Sequence, residues 1–315
     1  MPTAQSPTPQ FFDEAAVRAR LRMSDLIDAM QQALVEFSSG RAVQPVRTVL
    51  EFAAGSFFGL MPTYIPALPA LGAKLVTVCP GNAAAGLHTH HALIAMFCPT
   101  TGAPQAVLDG RYITEARTAA VSAVSARLLA REDAQVLAIL GAGVQARSHL
   151  NALRLVRNFR EVRVWSPTVQ HRRQFAEEAA SAYADIRVQA TDSAEAAVRG
   201  ADVVVAVTAS AKPVVMDAWV ADGAHVIAVG ACRPTQRELD PALVARARLI
   251  VDSRAAALKE AGDVVMGIAE GLWTADHIAA ELGELPTRQT AREITVFKSL
   301  GLAVEDIFAA ALVMA

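Results

Sequence analysis

Apolar residues along the chain follow two different rhythms. Between residues 46 and 108 they come in short runs broken by Gly and Pro, and residues 46–52, 56–65, 73–78, 92–97 and 105–108 read as strands. No helical stretch separates them, which predicts an antiparallel or mixed sheet. From residue 136 onward, short apolar runs alternate with helical stretches; strands fit 136–140, 162–165, 186–188, 202–207, 225–229 and 249–251. Six short strands separated by helices describe a doubly wound parallel sheet of the Rossmann type, so the fold class is α/β. Near the start, Asp13 is placed to cap a short helix. Ser24 and Asp28 open a second, with Leu26, Ile27, Met30, Leu34 and Phe37 at helical spacing, and Ser38, Ser39 and Gly40 close it. An Ala-rich helix over 114–130, with Val121, Val124 and Leu128 on one face, bridges into the second block. The last segment, 295–314, is read as amphipathic through Phe297, Leu300, Val304, Ile307 and Phe308 and as packing back on the first block. The proline-rich first ten residues are expected to trail.

The most informative stretch is VLAILGAGVQAR, residues 136–147. An apolar strand runs into Gly141-Ala142-Gly143-Val144-Gln145-Ala146, which fits G-x-G-x-x-G/A. Gly141 permits the tight turn, Gly143 lets a pyrophosphate approach the backbone, and Ala146 keeps the next helix close to the sheet. The N-terminal N–H groups of that helix, Val144 and Gln145 among them, point at the phosphates. A glycine triplet alone says little; the strand before it and the helix after it make the pattern specific.

Composition narrows the classes. The chain has 315 residues, 53% hydrophobic and 19% charged, with a formal net charge of −2, which suits two globular domains. No basic stripe or RNA-binding aromatic motif is present, so nucleic acid is not expected as a partner. No apolar run reaches about 18 residues, so no membrane span is expected. The N-terminus lacks the basic start and apolar core of a signal peptide. Cys79, Cys98 and Cys232 are scattered, which suits a reducing cytoplasm and argues against a disulfide scaffold or a zinc ribbon. His88, His90 and His91 lie close together, but no Cys, Asp or Glu nearby completes a metal site, and no metal is expected.

NAD-binding folds place an acidic residue on the ribose 2′-OH, about 20 residues past the glycines. Here the second strand of the parallel sheet is followed by Ser166-Pro167-Thr168, with no acid. Ser166 and Thr168 can hydrogen-bond a 2′-phosphate, and Arg172 or Arg173 can supply charge, which favours NADP(H) with NAD(H) possible. The two arginines could equally be the solvated face of a helix.

The segments QPVRTV (44–49), GLMPTY (59–64), KLVT (74–77), RTAAVSA (117–123) and ILGAGVQA (139–146) resemble the ornithine cyclodeaminase/mu-crystallin family. So do VGACRPTQREL (229–239), VDSRAAALKEAGDV (251–264) and TVFKSLGLAVED (295–306), and the likeness is greatest to the ketimine reductase branch. The resemblance implies a homodimer with two domains. Residues 1–115 plus 296–315 would form an α+β substrate-binding and dimerisation domain, and 116–295 the NAD(P)-binding domain. It implies that Arg47, Lys74 and Arg117 contact substrate. Guanidinium suits a planar carboxylate, so Arg47 and Arg117 are assigned to it. Lys74 is assigned to the reacting nitrogen or to the carboxylate, with a pKa lowered by burial beside two arginines. The resemblance also places Thr89, His90, Arg117, Thr208, Val229, Cys232 and Ser299 on the cofactor side, with Ser299 heading the last helix.

Two departures matter. Ornithine cyclodeaminases carry an aspartate where this chain has Cys232, and a mostly protonated thiol is a poor substitute for that base. Pro167 stands where the mu-crystallin-like pattern tends to have Arg. The expected activity is therefore NAD(P)H-dependent reduction of cyclic ketimines, such as 1-piperideine-2-carboxylate or 1-pyrroline-2-carboxylate, to pipecolate or proline. The rival readings are an alanine-type amino-acid dehydrogenase, an ornithine cyclodeaminase, and a non-catalytic NADPH-dependent small-molecule binding protein.

Overall fold

The computed structural model describes residues 8–315, and the expectation of a trailing start falls mostly outside them. Where the two overlap it is corrected at Gln10, which opens a short strand. The chain divides into two compact units, Met1–Arg117 with Leu302–Ala315, and Thr118–Gly301.

In the first unit, β1 (Gln10–Phe12) is followed by α1 (Glu14–Arg20) and α2 (Met23–Ser38). Asp13 caps α1 as expected, its carboxylate accepting from the Ala16 N–H at 2.8 Å. Helix α2 starts a residue before Ser24, with Arg22 at its cap position and no side-chain bond there. Strands β2 (Thr48–Ala53), β3 (Ser56–Ile65), β4 (Ala70–Val78), β5 (His90–Phe97) and β6 (Pro104–Asp109) then form a meander. The sheet order is β1-β6-β5-β4-β3-β2, with β1 parallel to β6 and the remaining pairs antiparallel. β1 escapes sequence reading because three residues carry no period.

Alternation sorts this sheet into two faces. Met61, Lys74, Ile94 and Leu108 pair in one row across β3 to β6, and all four are buried. The C-terminal helix, Ala303–Met314, covers this inner face; its Ile307 lies beside Gly72, two residues before Lys74 on the same face of β4. On the outer face, Leu60, Leu75 and Leu93 form a row with Leu60 and Leu93 exposed, and Leu50 pairs with Phe58, both also exposed.

Helix α3 (Gly110–Leu129) contains the boundary between the units. The second unit then runs β7 (Val136–Leu140), α4 (Val144–Leu153), β8 (Glu161–Trp165), α5 (Val169–Ala182), β9 (Arg187–Ala190), α6 (Ala194–Val198) and β10 (Val203–Ala206). It continues through β11 (His225–Ala228), α7 (Pro241–Arg246), β12 (Arg248–Val251), α8 (Arg254–Glu260), α9 (Gly262–Ala269), β13 (Ile278–Glu281) and β14 (Thr295–Lys298). All strand pairs are parallel, in the order β13-β12-β14-β11-β10-β7-β8-β9.

Two corrections follow. The sheet has eight strands rather than six. Residues 295–298, expected as the start of an amphipathic helix, form β14 between β11 and β12; all four are buried, so no amphipathic face exists there. The last helix begins only at Ala303.

The seat of the C-terminal helix on β4 is close enough to test. A β-carbon at Gly72 would stand 2.6 Å from the Ala95 carbonyl oxygen and 2.7 Å from Ile307 Cδ1. Gly72→Ala should therefore cost about 2 kcal/mol through overpacking, read as a lower urea midpoint. An unchanged midpoint would show that the helix does not press on the strand here.

Candidate active site

The glycine turn stands where the sequence predicts it. Gly141 leaves β7 at φ +115°, and a β-carbon there would lie 2.6 Å from the Val207 carbonyl oxygen, so only glycine fits. Gly143 is the N-cap of α4, and a β-carbon there would face open space. Arg147 fixes the turn from below by donating to the Ala142 carbonyl at 2.7 Å. An open, glycine-flanked backbone with helix N–H groups behind it fits the pyrophosphate of a dinucleotide.

Register explains why the other predicted cofactor-side residues of this unit gather. Trp165, Leu140, Ala206, Ala228 and Lys298 form one row across β8, β7, β10, β11 and β14. Ser166, Gly141, Thr208, Val229 and Ser299 all lie one or two residues beyond it. The order of strands also reverses between β7 and β10, and ligands of such sheets bind at that point.

Around that rim, details differ from expectation. Ser166 is buried and its hydroxyl donates to the Thr168 carbonyl at 3.1 Å, and Thr168 caps α5 without a side-chain bond. Arg172 is buried too: it donates to the Ser166 carbonyl at 3.0 Å and meets Asp192 at 3.3 Å, so its charge is used beneath the loop, while Arg173 is exposed. Cys232 is exposed, its thiol donating to the Val229 carbonyl at 3.2 Å. Ser299 does not head the last helix; it follows β14, and its hydroxyl donates to Asp252 at 3.4 Å.

Sequence reading missed the charges that hold this rim. Glu238 is fully buried. One carboxylate oxygen accepts from the Thr208 N–H and hydroxyl, both at 2.7 Å. The other accepts from the Gly230 N–H at 2.6 Å and the Ala231 N–H at 3.1 Å. One side chain thus ties the turn after β10 to the turn after β11. Burial pushes the Glu238 carboxyl up, against the opposing pull of Lys298 and Thr208. Asp263 in turn accepts from the backbone N–H groups of Glu238 and Leu239, and pairs with the Lys298 ammonium at 3.1 Å. Burial opposes the charge of Lys298, but the carboxylates of Asp263 and Glu238 hold the ammonium above its usual range.

In the first unit, Lys74 lies in the middle of β4, 2% exposed, with its Nζ 2.7 Å from Asp306 Oδ2. Arg117 donates from Nε to Asp306 Oδ1 at 3.0 Å and from Nη1 to Glu305 at 2.8 Å. Glu305 and Asp306 are wholly buried. Burial lowers the Lys74 pKa from 10.5 to about 8; Asp306 pulls it back up and Arg117 adds to the lowering. The expected neighbours were two arginines; the observed ones are one arginine and two carboxylates. Arg47 is half-buried just before β2, one step from Thr48, which pairs with Leu60. That register puts Arg47 in line with Met61 and Lys74. The Gln44 side chain accepts from the Val304 N–H at 2.7 Å and so anchors the first turn of the C-terminal helix. Thr89 and His90, at the start of β5, bond to each other at 3.1 Å. Among the described residues no group of three or more His, Cys, Asp or Glu is placed to hold a metal.

The fold and the rim define the class: a two-unit α/β protein whose eight-stranded parallel sheet carries a dinucleotide-type glycine turn. The chain belongs to the ornithine cyclodeaminase/mu-crystallin family, whose profile matches residues 8–315. It is 44% identical over 313 residues to the mouse (Mus musculus) protein ketimine reductase mu-crystallin, covering 97% of this chain and 96% of that one. Its structure matches the Thermococcus litoralis Delta(1)-pyrroline-2-carboxylate reductase in complex with NADH and L-proline, with TM-score 0.94, 35% identity and 96% of each chain covered. It also matches an archaeal alanine dehydrogenase dimer with bound NAD, with TM-score 0.92, 31% identity, and 97% and 94% covered.

The Glu238 clamp gives a stability test. In Glu238→Gln, an amide NH₂ must face either the Thr208 donors or the Gly230 and Ala231 donors, whichever way it turns. A loss of about 2–3 kcal/mol is expected, measured by urea unfolding. A loss below about 0.5 kcal/mol would mean that the four bonds do not form together.

Proposed function

We propose that this chain reduces cyclic ketimines that bear a carboxylate on the C=N carbon, 1-piperideine-2-carboxylate or 1-pyrroline-2-carboxylate, to pipecolate or proline. The observation that carries the reading is its full-length likeness to proteins named as ketimine and pyrroline-2-carboxylate reductases. The reduced nicotinamide, when bound at the glycine turn, supplies the hydride. The chain's own residues bind the carboxylate, orient the ring and deliver the proton. Arg47 and Arg117 are assigned to the carboxylate and Lys74 to the imine nitrogen; Nε and Nη1 of Arg117 are already engaged by Asp306 and Glu305. Thr89, His90, Gly141, Ala142, Gly143, Val144, Gln145, Ser166, Thr168, Thr208, Val229, Cys232 and Ser299 keep their assignment to the cofactor side.

No carboxylate follows β8 where a ribose 2′-OH is usually read, and the helix that Thr168 precedes carries the exposed Arg173. NADP(H) is therefore the preferred cofactor in this reading, with NAD(H) second, although the two solved relatives hold NADH and NAD. The exposed apolar outer face of the six-stranded sheet, Leu50, Phe58, Leu60 and Leu93, fits a second copy of this chain. The archaeal alanine dehydrogenase is a dimer, which supports the same assembly. The free thiols suit the cytoplasm.

The test follows NADPH and NADH oxidation with both ring sizes, with pyruvate plus ammonia, and with ornithine plus NAD⁺. Turnover of a cyclic ketimine independent of ammonia is expected. Arg47→Met should raise the KM for the ketimine by about 10-fold or more, the loss of one charge-assisted contact, while cofactor binding stays intact. Activity only with pyruvate and ammonia, or ammonia release from ornithine, would replace the reading; cofactor binding with no turnover would leave a binding protein. For assembly, Leu60→Glu should convert a dimer to a monomer in sedimentation velocity. A wild-type monomer would remove the second copy from the proposal.

A further inference from the structure

Lys74, Asp306, Arg117 and Glu305 form a chain of alternating charge buried in the first unit. Lys74 Nζ lies 2.7 Å from Asp306, Asp306 accepts from Arg117 at 3.0 Å, and Arg117 donates to Glu305 at 2.8 Å. None of the four is more than 5% exposed. A lysine at such a place, with Met61 and Ile94 beside it in the sheet, would shed its proton unless a carboxylate faced it. Asp306 touches both cations. It stands in the first turn of a helix that is otherwise apolar, AVEDIFAAALVM, and that turn is fixed by the Gln44 side chain. Asp306 ties the first turn of that helix to β4 through Lys74, and Ile307, the next residue, lies against Gly72 of the same strand.

We propose that Asp306 is a positioning residue that keeps Lys74 both charged and aimed, so that Lys74 is the proton donor to the imine nitrogen, with Glu305 holding Arg117 in place behind it. The inference rests on the ketimine reductase reading. In the step, the hydride of the reduced nicotinamide forms the new C–H bond at the C=N carbon as the C=N π bond breaks toward nitrogen. Nitrogen takes a proton from the Lys74 ammonium. Lys74 is left as a neutral amine, the nicotinamide is left oxidised, and water returns the proton to Lys74. The charged groups acting on Lys74 come from two helices: Asp306 and Glu305 from the C-terminal helix, and Arg117 from α3. Arg47 lies farther along the same row of the sheet. With its pKa lowered only to about 8, Lys74 is mostly protonated at pH 7, which a donor requires.

The experiment is the pH profile of ketimine reduction at saturating cofactor. Wild-type kcat should fall on the basic side, near pH 8, as Lys74 loses its proton. Asp306→Asn should move that limb down by at least about one pH unit and lower kcat at pH 7 by about 10-fold or more. Asp306→Glu, which keeps the charge, should restore the limb. A residue that only supported the fold would lower the amplitude and leave the limb in place. If Asp306→Asn does not fold, Glu305→Gln decides: loss of that charge should shift the limb the same way by a smaller amount, and an unmoved limb overturns the proposal. A wild-type enzyme silent with both ring sizes overturns the functional reading and this inference with it. An active wild type whose basic limb survives Asp306→Asn overturns the inference alone.

Discussion

A charged amine cannot stay on the inner face of a sheet without a counter-charge, and the first unit is arranged around meeting that need at Lys74. Its neighbours along the row, Met61, Ile94 and Leu108, are apolar and buried. The counter-charge comes from the far end of the sequence, on a helix that reaches the sheet through apolar contacts and carries its two acids in the first turn. Isolated, an aspartate and a glutamate in that position would be as costly as the lysine. Set among two cations they close a neutral group of four, and each cation is held at a fixed distance from the next. Fixed geometry is what a proton donor needs, because an orientation established before substrate arrives costs nothing during the reaction.

The second unit uses the same physics for a different end. Parallel strands finish in turns that must be held at set heights if they are to form one rim, and backbone alone does not do this. Glu238 accepts four hydrogen bonds from two successive turns, and Asp263 takes the N–H groups of Glu238 itself and of Leu239. Lys298, on a strand that arrives last in sequence, balances the charge from the middle of the sheet. Buried carboxylates act here as acceptors for backbone N–H groups that would otherwise be unsatisfied. The strand that enters late therefore contributes to the rim twice, by pairing between β11 and β12 and by neutralising Asp263.

How much of this the sequence revealed depended on period and on distance along the chain. The meander strands and the parallel strands up to β12 showed because alternation or short apolar runs repeat locally, and the glycine turn showed because its spacing is a local code. Residues 295–298 were misread because Thr-Val-Phe-Lys is followed by apolar residues at positions that fit a helix as well as a strand; only pairing with β11 and β12 decides. Ser299 was misplaced for the same reason. The family resemblance singled out Lys74 and Arg117, but Glu305 and Asp306 were not assigned, although two adjacent acids opening an apolar helix are a readable anomaly. They lie 188 and 189 residues away from their partner Arg117, and no local pattern records a pairing of that span. Arg172 illustrates the reverse: its sequence position suggested a phosphate ligand, and its hydrogen bonds to Ser166 and Asp192 show a loop support.

Cys232 bears on which substrate the chain suits. A reaction that begins from an amine with a second amino group needs an acid or base near the bond that forms, and the family resemblance implies an aspartate at this position in the ornithine enzymes. This chain has an exposed thiol whose hydrogen goes to the Val229 carbonyl, in place of a carboxylate. A substrate that already contains the C=N bond asks for less: a carboxylate clamp, a hydride and one proton. In the proposed reaction that proton comes from the buried ammonium of Lys74, which Asp306 faces at 2.7 Å. The missing acid and the retained ammonium thus favour the same substrate, because an imine is the compound for which a donor is required and a base is not.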